Sequence, residues 1–75
     1  MRIGASWRLR TPTPALRLEH DHHVPMTLPA GAVLTIVRVG SFSREFVAVE
    51  WDDQTLLVFT LDLRERGDQV EGAHE

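Results

Sequence analysis

The sequence predicts an all-β protein, a small five-stranded antiparallel barrel with a short 3₁₀ turn near its C-terminus. Short runs rich in β-branched and aromatic residues are separated by polar turn segments along the chain. Closing such a sheet into a barrel removes the exposed strand edges that would otherwise aggregate. The fold class therefore follows from the strand-like runs, the turns between them and the small size of the chain.

The most strongly patterned stretch is the hairpin from Phe46 to Leu63. Two apolar runs flank the polar turn Asp52-Asp53-Gln54. Because two-residue hairpin turns favour Asn-Gly or Asp-Gly and this turn has no glycine, a longer loop built on a type I turn is predicted. Both faces of the hairpin carry bulky residues. Their combined volume is too large for the interior of a single small barrel. One face is therefore expected to fill the barrel and the other to contact a partner.

The alternation of apolar and polar residues assigns the N-terminal part of the chain. Apolar and basic residues alternate over residues 6–10, which predicts a half-buried strand. Residues 11–14 contain two prolines and are predicted to be an irregular crossing segment, because proline lacks an amide donor and restricts the residue before it. Residues 15–19 are ambiguous. As a strand they place Leu16 and Leu18 on one face, with their charged neighbours outside.

Two further strands are predicted before the hairpin. Residues 20–23 form a polar loop, and residues 24–28 form a short strand in which Pro25 must lie at an edge or at the strand start. A Pro-Ala-Gly turn then leads into residues 32–39, the longest β run, whose two faces are both largely apolar. Residues 40–45 are predicted to be a loop.

The C-terminal part is expected to differ from the barrel. Residues 61–67 are predicted to form one helical or 3₁₀ turn that Gly67 closes. Residues 1–67 then make a single small β-barrel domain, and residues 68–75 a disordered acidic tail.

Composition narrows the possible functions. The 75 residues include eight basic residues, all of them arginine, and eleven acidic residues, for a net charge of −3. Without the acidic tail the domain is near neutral, so a nucleic-acid binder, which needs a basic surface, is unfavoured. The chain has no cysteine to supply a disulfide or a thiolate metal site. Self-association is therefore a reasonable source of extra burial for so small a core.

The sequence also favours a cytoplasmic protein without membrane contact. The first ten residues lack the apolar core of a signal peptide. The longest nearly apolar run, residues 30–37, is far shorter than the ~20 residues needed to cross a bilayer. The lack of cysteine is compatible with a reducing compartment.

Three segments resemble those of SH3-like small barrels. They are Leu28-Pro29-Ala30-Gly31 entering a long strand, a hairpin ending in Val58-Phe59, and the turn Asp62-Leu63-Arg64-Glu65-Arg66-Gly67. The same pattern is similar to short bacterial proteins of unassigned function, and the likeness covers residues 6–67. It implies a domain that binds peptides, nucleic acids or other proteins. Because the chain has no tyrosine, a Tyr-rich groove for proline-rich peptides is not expected.

Three neighbouring histidines, His20, His22 and His23, are weak candidates for a metal site. Imidazoles placed so closely can bind zinc, nickel or copper, and Glu19 or His74 would have to supply a further ligand. Structural zinc sites usually close four ligands, so a solvated turn is the favoured interpretation. No metal ion or other cofactor is predicted.

Catalytic chemistry is not predicted either. Asp52 and Asp53 lie at a hairpin tip, where aspartate serves turn hydrogen bonding, whereas paired acid–base catalysis needs an enclosed pocket and a hairpin tip is usually open to solvent. Asp62 is expected to cap the turn that follows it. The chain lacks cysteine, lysine, a Gly-x-Ser-x-Gly nucleophile motif and a glycine-rich phosphate loop. The protein is therefore not expected to be an enzyme.

Arginine and aromatic residues are the candidate binding residues. Trp7 and Phe59, with either Phe46 or Trp51, are expected in the core, which leaves the other aromatic exposed or in an interface. An exposed aromatic beside an arginine can stack on a base or hold an anionic ligand, but surface ion pairs between these arginines and acidic neighbours are the favoured interpretation. The candidate ligand- or partner-binding residues are Phe42, Arg44, Phe46, Trp51, Arg38, Arg64 and Arg66.

Together these observations predict a non-enzymatic binding module that acts as a homo-oligomer through the surplus apolar face of the hairpin, with Phe42. The alternative is a protein that binds or sequesters a small anionic, nucleotide-like ligand with arginines and an aromatic at a subunit interface. Compact bacterial or phage regulators of signalling nucleotides would have these features. A different protein partner is a further alternative, and nucleic-acid binding and histidine-dependent metal binding are the least favoured.

Overall fold

The computed structural model describes residues 1–40 and 44–70, which form strands and one short helix. The all-β class predicted from the sequence is confirmed. Along the chain the elements are β1 (Ser6–Leu9), β2 (Thr13–Glu19), β3 (His22–Leu28), β4 (Val33–Val39), β5 (Phe46–Trp51), β6 (Gln54–Phe59), α1 (Thr60–Arg66) and β7 (Gly67–Val70). No helix in these two ranges has the length and apolar character needed to cross a membrane.

The strands form one antiparallel sheet in the order β3-β2-β6-β5-β4-β1-β7. Over residues 1–40 and 44–70 the sheet has seven strands and is not closed, so the predicted five-stranded barrel is wrong. The two additional strands come from a long β2–β3 hairpin and from β7. The hairpin pairs with β6 only at Leu16–Leu57 and Arg17–Leu56, so β3 stays at the end of the sheet. Pro25 lies in this end strand, as its missing amide donor predicts.

Two tight turns contain no glycine. His20 and Asp21, between β2 and β3, have φ of 49° and 68°, and Asp52 and Asp53, between β5 and β6, have φ of 53° and 62°. Positive φ at both central residues is the geometry of a type I′ turn, which matches the twist of the flanking strands. The longer type I loop predicted at Asp52 is therefore wrong. Aspartate visits the left-handed region more readily than most residues, because its short side chain forms local hydrogen bonds.

The core lies against one face of the sheet, here called the inner face. Its buried residues are Leu9, Ala15, Leu28, Ala32, Leu34, Ile36, Val47, Val49, Leu56, Val58 and Leu63, with Trp7, Met26 and Trp51 packed against them. Residues 47, 49 and 51 of the central hairpin thus point inwards. Phe59, predicted to be core, is 43% exposed and lies with Phe46 on the opposite, outer face.

A β-bulge in β4 changes which residues reach the outer face. Ile36 pairs with Val49, whereas Arg38 pairs with Ala48, so the register shifts between Ile36 and Arg38. The extra residue is Val37, and both Val37 and Arg38 are exposed on the outer face. The strict alternation predicted for residues 32–39 therefore ends at the bulge.

The segment after β6 is an α-helix of seven residues rather than a single 3₁₀ turn. Leu63 is fully buried and anchors this helix to the core. Asp62 does not cap the helix; it lies in the first turn and its Oδ1 is 3.6 Å from Nε of Arg66. Gly67 ends the helix with an extended backbone, φ −128°, so it is not a left-handed cap. It fits there because a Cβ would lie 3.0 Å from the Leu63 carbonyl oxygen.

The first residues of the predicted tail belong to the sheet. Residues 68–70 lie in β7, which pairs with β1 from Ser6–Val70 to Leu9–Gly67. Arg10 strengthens this end of the fold: its guanidinium donates to the Glu65 carbonyl oxygen at 2.6 Å and lies 3.3 Å from the Asp68 carboxylate. The prediction of disorder is wrong for residues 68–70, and residues 71–75 lie outside the described ranges.

Candidate binding surface on the outer face of the sheet

The outer face carries a row of aligned side chains across four strands. Leu16 of β2 pairs with Leu57 of β6, Leu57 pairs with Ala48 of β5, and Ala48 pairs with Arg38 of β4. Because side chains directly opposite each other in an antiparallel sheet share a face, these four residues form one continuous row, here called the middle row. It is apolar except at its Arg38 end.

Two further rows flank the middle row. On one side Phe46 of β5 pairs with Phe59 of β6, and their ring centroids are 4.6 Å apart at an interplanar angle of 31°. This separation lies within the range of favourable aromatic pairs. On the other side the pairs Glu50–Thr55 and Leu18–His23 lie two residues further along their strands. The outer face is thus aromatic at one margin and carries both polar and apolar side chains at the other.

A groove of about 540 Å³ runs across this face. Its lining residues are Leu16, Leu18, His23, Val37, Arg38, Ala48, Glu50, Thr55, Leu56 and Leu57. The volume falls within the ~300–1,000 Å³ of typical ligand pockets, and the lining is mainly aliphatic with a few polar groups. The Phe46–Phe59 pair does not belong to the lining and borders the groove along the strands.

Large apolar side chains remain uncovered around the groove. Leu18 is 59% exposed, Phe59 43% and Val37 38%. Scattered exposed apolar residues are normal on a protein surface, whereas large contiguous apolar patches mark interaction sites. The pairing of the strands places these three residues on one face, around the same groove.

Two opposite charges in the groove have no partner in the described part of the chain. Arg38 and Glu50 both line the groove, yet neither makes an ion pair or a side-chain hydrogen bond within residues 1–40 and 44–70. The ion pairs found there join Arg10 to Asp68, Arg17 to Glu19, and Arg66 to Asp62. Of the candidate arginines expected to pair with acidic neighbours, Arg66 pairs with Asp62, whereas Arg38 makes no ion pair within the described residues.

The structure separates the candidate binding residues that lie within the described ranges. Arg38 and Phe46 lie on the outer face, whereas Trp51 packs against the core on the inner face. Arg44 precedes β5 and is exposed, and its carbonyl oxygen accepts a hydrogen bond from the Thr60 hydroxyl at 3.3 Å. Phe42 lies outside the described residues.

The two helical arginines of that set lie on α1. Arg64 is exposed. Arg66 donates from Nη1 to the Pro12 carbonyl oxygen at 3.1 Å and pairs with Asp62, so it ties the helix to the segment between β1 and β2. Its contacts serve the fold, and of the six candidates that the structure describes only Arg38 lines the groove.

The neighbouring histidines do not converge. His22 and His23 are successive residues of β3 and therefore point to opposite faces, His23 into the groove and His22 towards the inner side. His20 lies in the type I′ turn. Within the described ranges no three histidine, aspartate or glutamate side chains come together as a metal site. His74, considered above as a further ligand, lies outside these ranges.

Sequence reasoning missed the leucines of β2 as outer-face residues. The expected arrangement had Leu16 and Leu18 inside and their charged neighbours outside, but the structure has the reverse. Arg17 points to the inner side, where its Nε is buried with no hydrogen-bond partner among the described residues, and its guanidinium lies 3.4 Å from the Glu19 carboxylate. Alternation identified which residues share a face, but only the pairing with β6 decides which face is buried.

No family model, curated protein or solved structure matches this chain. The resemblance to SH3-like small barrels and to short bacterial proteins therefore stays a prediction, and the function must be inferred from the outer face itself.

Proposed function

We propose that this protein is a non-enzymatic binding module that works through the outer face of its sheet and associates with further copies of itself. The observation that carries the proposal is the apolar groove, bordered by the aromatic pair Phe46–Phe59 and left uncovered at Leu18 and Val37. Covering this face removes apolar surface from water, at about 25 cal/mol for each Å² buried.

The size of the chain supports self-association. A chain of 75 residues without cysteine buries a limited fraction of its surface and has no disulfide to stabilise it. A second copy that covers the outer face adds apolar burial without any new sequence. The near balance of charges removes the long-range repulsion that would oppose such contact.

The test is a substitution at the centre of the middle row. Leu57→Glu places a carboxylate in the groove, and we expect it to convert an oligomeric wild type into a monomer, because burying an unpaired charge is costly. Leu61→Glu is the matched control, since Leu61 lies on α1 and is 62% exposed. Sedimentation velocity over a range of concentrations measures the association, and circular dichroism checks that both variants fold.

Two outcomes contradict the proposal. A wild-type protein that stays monomeric at every concentration removes self-association. Equal dissociation of the Leu57→Glu and Leu61→Glu variants shows that the oligomer does not depend on the outer face.

A second candidate function is the binding of a small anionic ligand in the same groove. The observation in its favour is that Arg38 lines a groove of suitable volume and has no partner in the described residues. The aliphatic lining favours an anion with an aliphatic part over stacking of a nucleobase, because both rings of the Phe46–Phe59 pair lie outside the lining.

Thermal shift measurements distinguish this second candidate. A panel should include medium-chain carboxylates and nucleotides, and a ligand present at 100 times its Kd adds about 2.7 kcal/mol of stability. We expect any shift to disappear in Arg38→Gln, which keeps a polar side chain and removes the charge. If no anion raises the unfolding temperature, this candidate is rejected.

A further inference from the structure

We propose that two copies pack outer face against outer face about a two-fold axis, with Arg38 of each copy facing Glu50 of the other. The inference rests on the self-association proposed above and adds its symmetry and the residues that specify it. It follows from the positions of the apolar residues and of the two charges, Arg38 and Glu50, that have no partner among the described residues.

Arg38 and Glu50 are diagonal neighbours on the outer face. Arg38 lies opposite Ala48, and Glu50 is the next residue of β5 on the same face. With ~4.8 Å between strands and ~6.8 Å between alternate residues of a strand, the two positions are about 8 Å apart. The charges are therefore side by side on one surface, and they form no ion pair within the described residues.

Symmetry turns this arrangement into two ion pairs. In a two-fold contact the same surface is used twice, so if residue i of one copy meets residue j of the other, then j also meets i. The axis of a face-to-face dimer lies in the plane of the interface. We place the axis so that it bisects the line from Arg38 to Glu50 at a right angle. Rotation about this axis then brings Arg38 of one copy opposite Glu50 of the other.

The same axis pairs the apolar residues. On a flat grid with the spacings above, the two-fold axis passes within about 2 Å of Leu57. Leu57 of one copy therefore packs against Leu57 of the other. The axis also places Phe59 over Leu16 of the second copy, and Phe46 over Leu18 of the second copy. One axis, fixed by the charges alone, thus matches aromatic residues to leucines throughout.

These contacts also explain how a grooved face can pack against itself. Leu16 and Leu18 line the groove, whereas Phe46 and Phe59 stand beside it. In the proposed dimer the aromatic pair of each copy lies over the groove of the other, so aromatic side chains occupy space that two facing grooves would otherwise leave empty. An unrelated partner would require neither the paired charges nor this matching of aromatic and aliphatic residues.

The size of the contact predicts its strength. Five strands and three rows of side chains cover on the order of 400 Å² of flat surface per copy. The two copies together contribute about 800 Å², which is below the ~1,200–2,000 Å² of stable specific interfaces, so we expect a weak dimer that dissociates on dilution.

Charge reversal tests the axis directly. Arg38→Glu creates two facing pairs of carboxylates, and Glu50→Arg creates two facing pairs of guanidinium groups. We expect each variant to weaken the dimer at least tenfold in sedimentation equilibrium. Arg64→Glu, at an exposed site on α1, makes the same change of net charge as Arg38→Glu and should leave the dimer intact.

Mixing the two reversed variants gives the decisive measurement. In a mixed dimer both facing pairs are again one carboxylate and one guanidinium, so we expect native mass spectrometry to show the mixed dimer and little of either homodimer. The double variant Arg38→Glu/Glu50→Arg should dimerise like the wild type for the same reason.

The outcomes separate this inference from the proposed function. If Leu57→Glu dissociates the protein while both charge reversals leave the dimer unchanged, the outer face is the interface and the axis is wrong. Failure of the mixed dimer to form, when both single variants are folded, also overturns the axis. A wild type that is monomeric throughout overturns self-association and this dimer with it.

Discussion

Replacing Asp53 with glycine should stabilise the fold. Asp52 and Asp53 form the turn between β5 and β6 with φ of 53° and 62°. A residue with a Cβ pays ~1–2 kcal/mol in the left-handed region, and glycine does not. Against this, the more flexible unfolded chain of the variant costs ~0.5–1 kcal/mol. We therefore expect Asp53→Gly to raise the free energy of unfolding by roughly 0.5–1 kcal/mol.

The matched control is the same replacement in an extended strand. Asp68 is exposed in β7, opposite Arg8, and its ion pair with Arg10 joins two side chains that are each more than half exposed. Such a pair contributes ~0–1 kcal/mol. Asp68→Gly loses that pair and weakens a strand, so we expect it to lower the free energy of unfolding by roughly 1 kcal/mol.

Thermal unfolding followed by far-UV circular dichroism measures both changes. For a domain of this size 1 kcal/mol corresponds to a shift in Tm of roughly 4–8 °C, so the two variants should move in opposite directions and differ clearly. If Asp53→Gly lowers the Tm as much as Asp68→Gly does, the turn is not held in the left-handed region and the reasoning fails.

Two further predictions concern the C-terminal helix. Leu63→Ala should lower the free energy of unfolding by roughly 2–5 kcal/mol, because Leu63 is fully buried, whereas Leu61→Ala, at a site 62% exposed, should change it by less than ~0.5 kcal/mol. Equal effects in urea unfolding would show that Leu63 does not anchor the helix. Gly67→Ala should cost roughly 1–3 kcal/mol, because the new Cβ meets two backbone oxygens, at 3.0 Å from Leu63 and 3.3 Å from Arg8. An unchanged urea midpoint would mean that the backbone at Leu63 and Arg8 moves to admit the new Cβ at little cost in free energy.

The local elements of this fold were largely predictable from the sequence. Alternation and β propensity located the strands of the central hairpin, and the missing amide of Pro25 predicted an edge position. The turn at Asp52-Asp53 was not predicted, because glycine is the usual signal for a type I′ turn and aspartate replaces it here. The bulge at Val37 was also missed, because an extra apolar residue within an apolar run cannot be recognised from the sequence.

The candidate surface was harder to predict than the strands. Sequence reasoning correctly expected that one face of the hairpin fills the core and leaves the other uncovered, and it named Phe46 and Arg38 among the candidates. It did not find Leu16, because the choice of buried face depends on pairing between β2 and β6, which are far apart in the sequence. Long-range pairing also decides that the sheet stays open, and no local pattern carries that information.

The position of β1 has a consequence for how the protein folds. This strand pairs with β4 on one side and with β7 on the other, and Ser6 lies opposite Val70, near the far end of the described chain. Such distant pairings must overcome the entropy of closing long loops before they gain stability, which slows folding towards milliseconds or seconds. The β4–β5–β6 meander can form early from local contacts. One edge of β1 stays unpaired until β7 pairs with it. That interval is when the nascent sheet is most open to pairing with another chain.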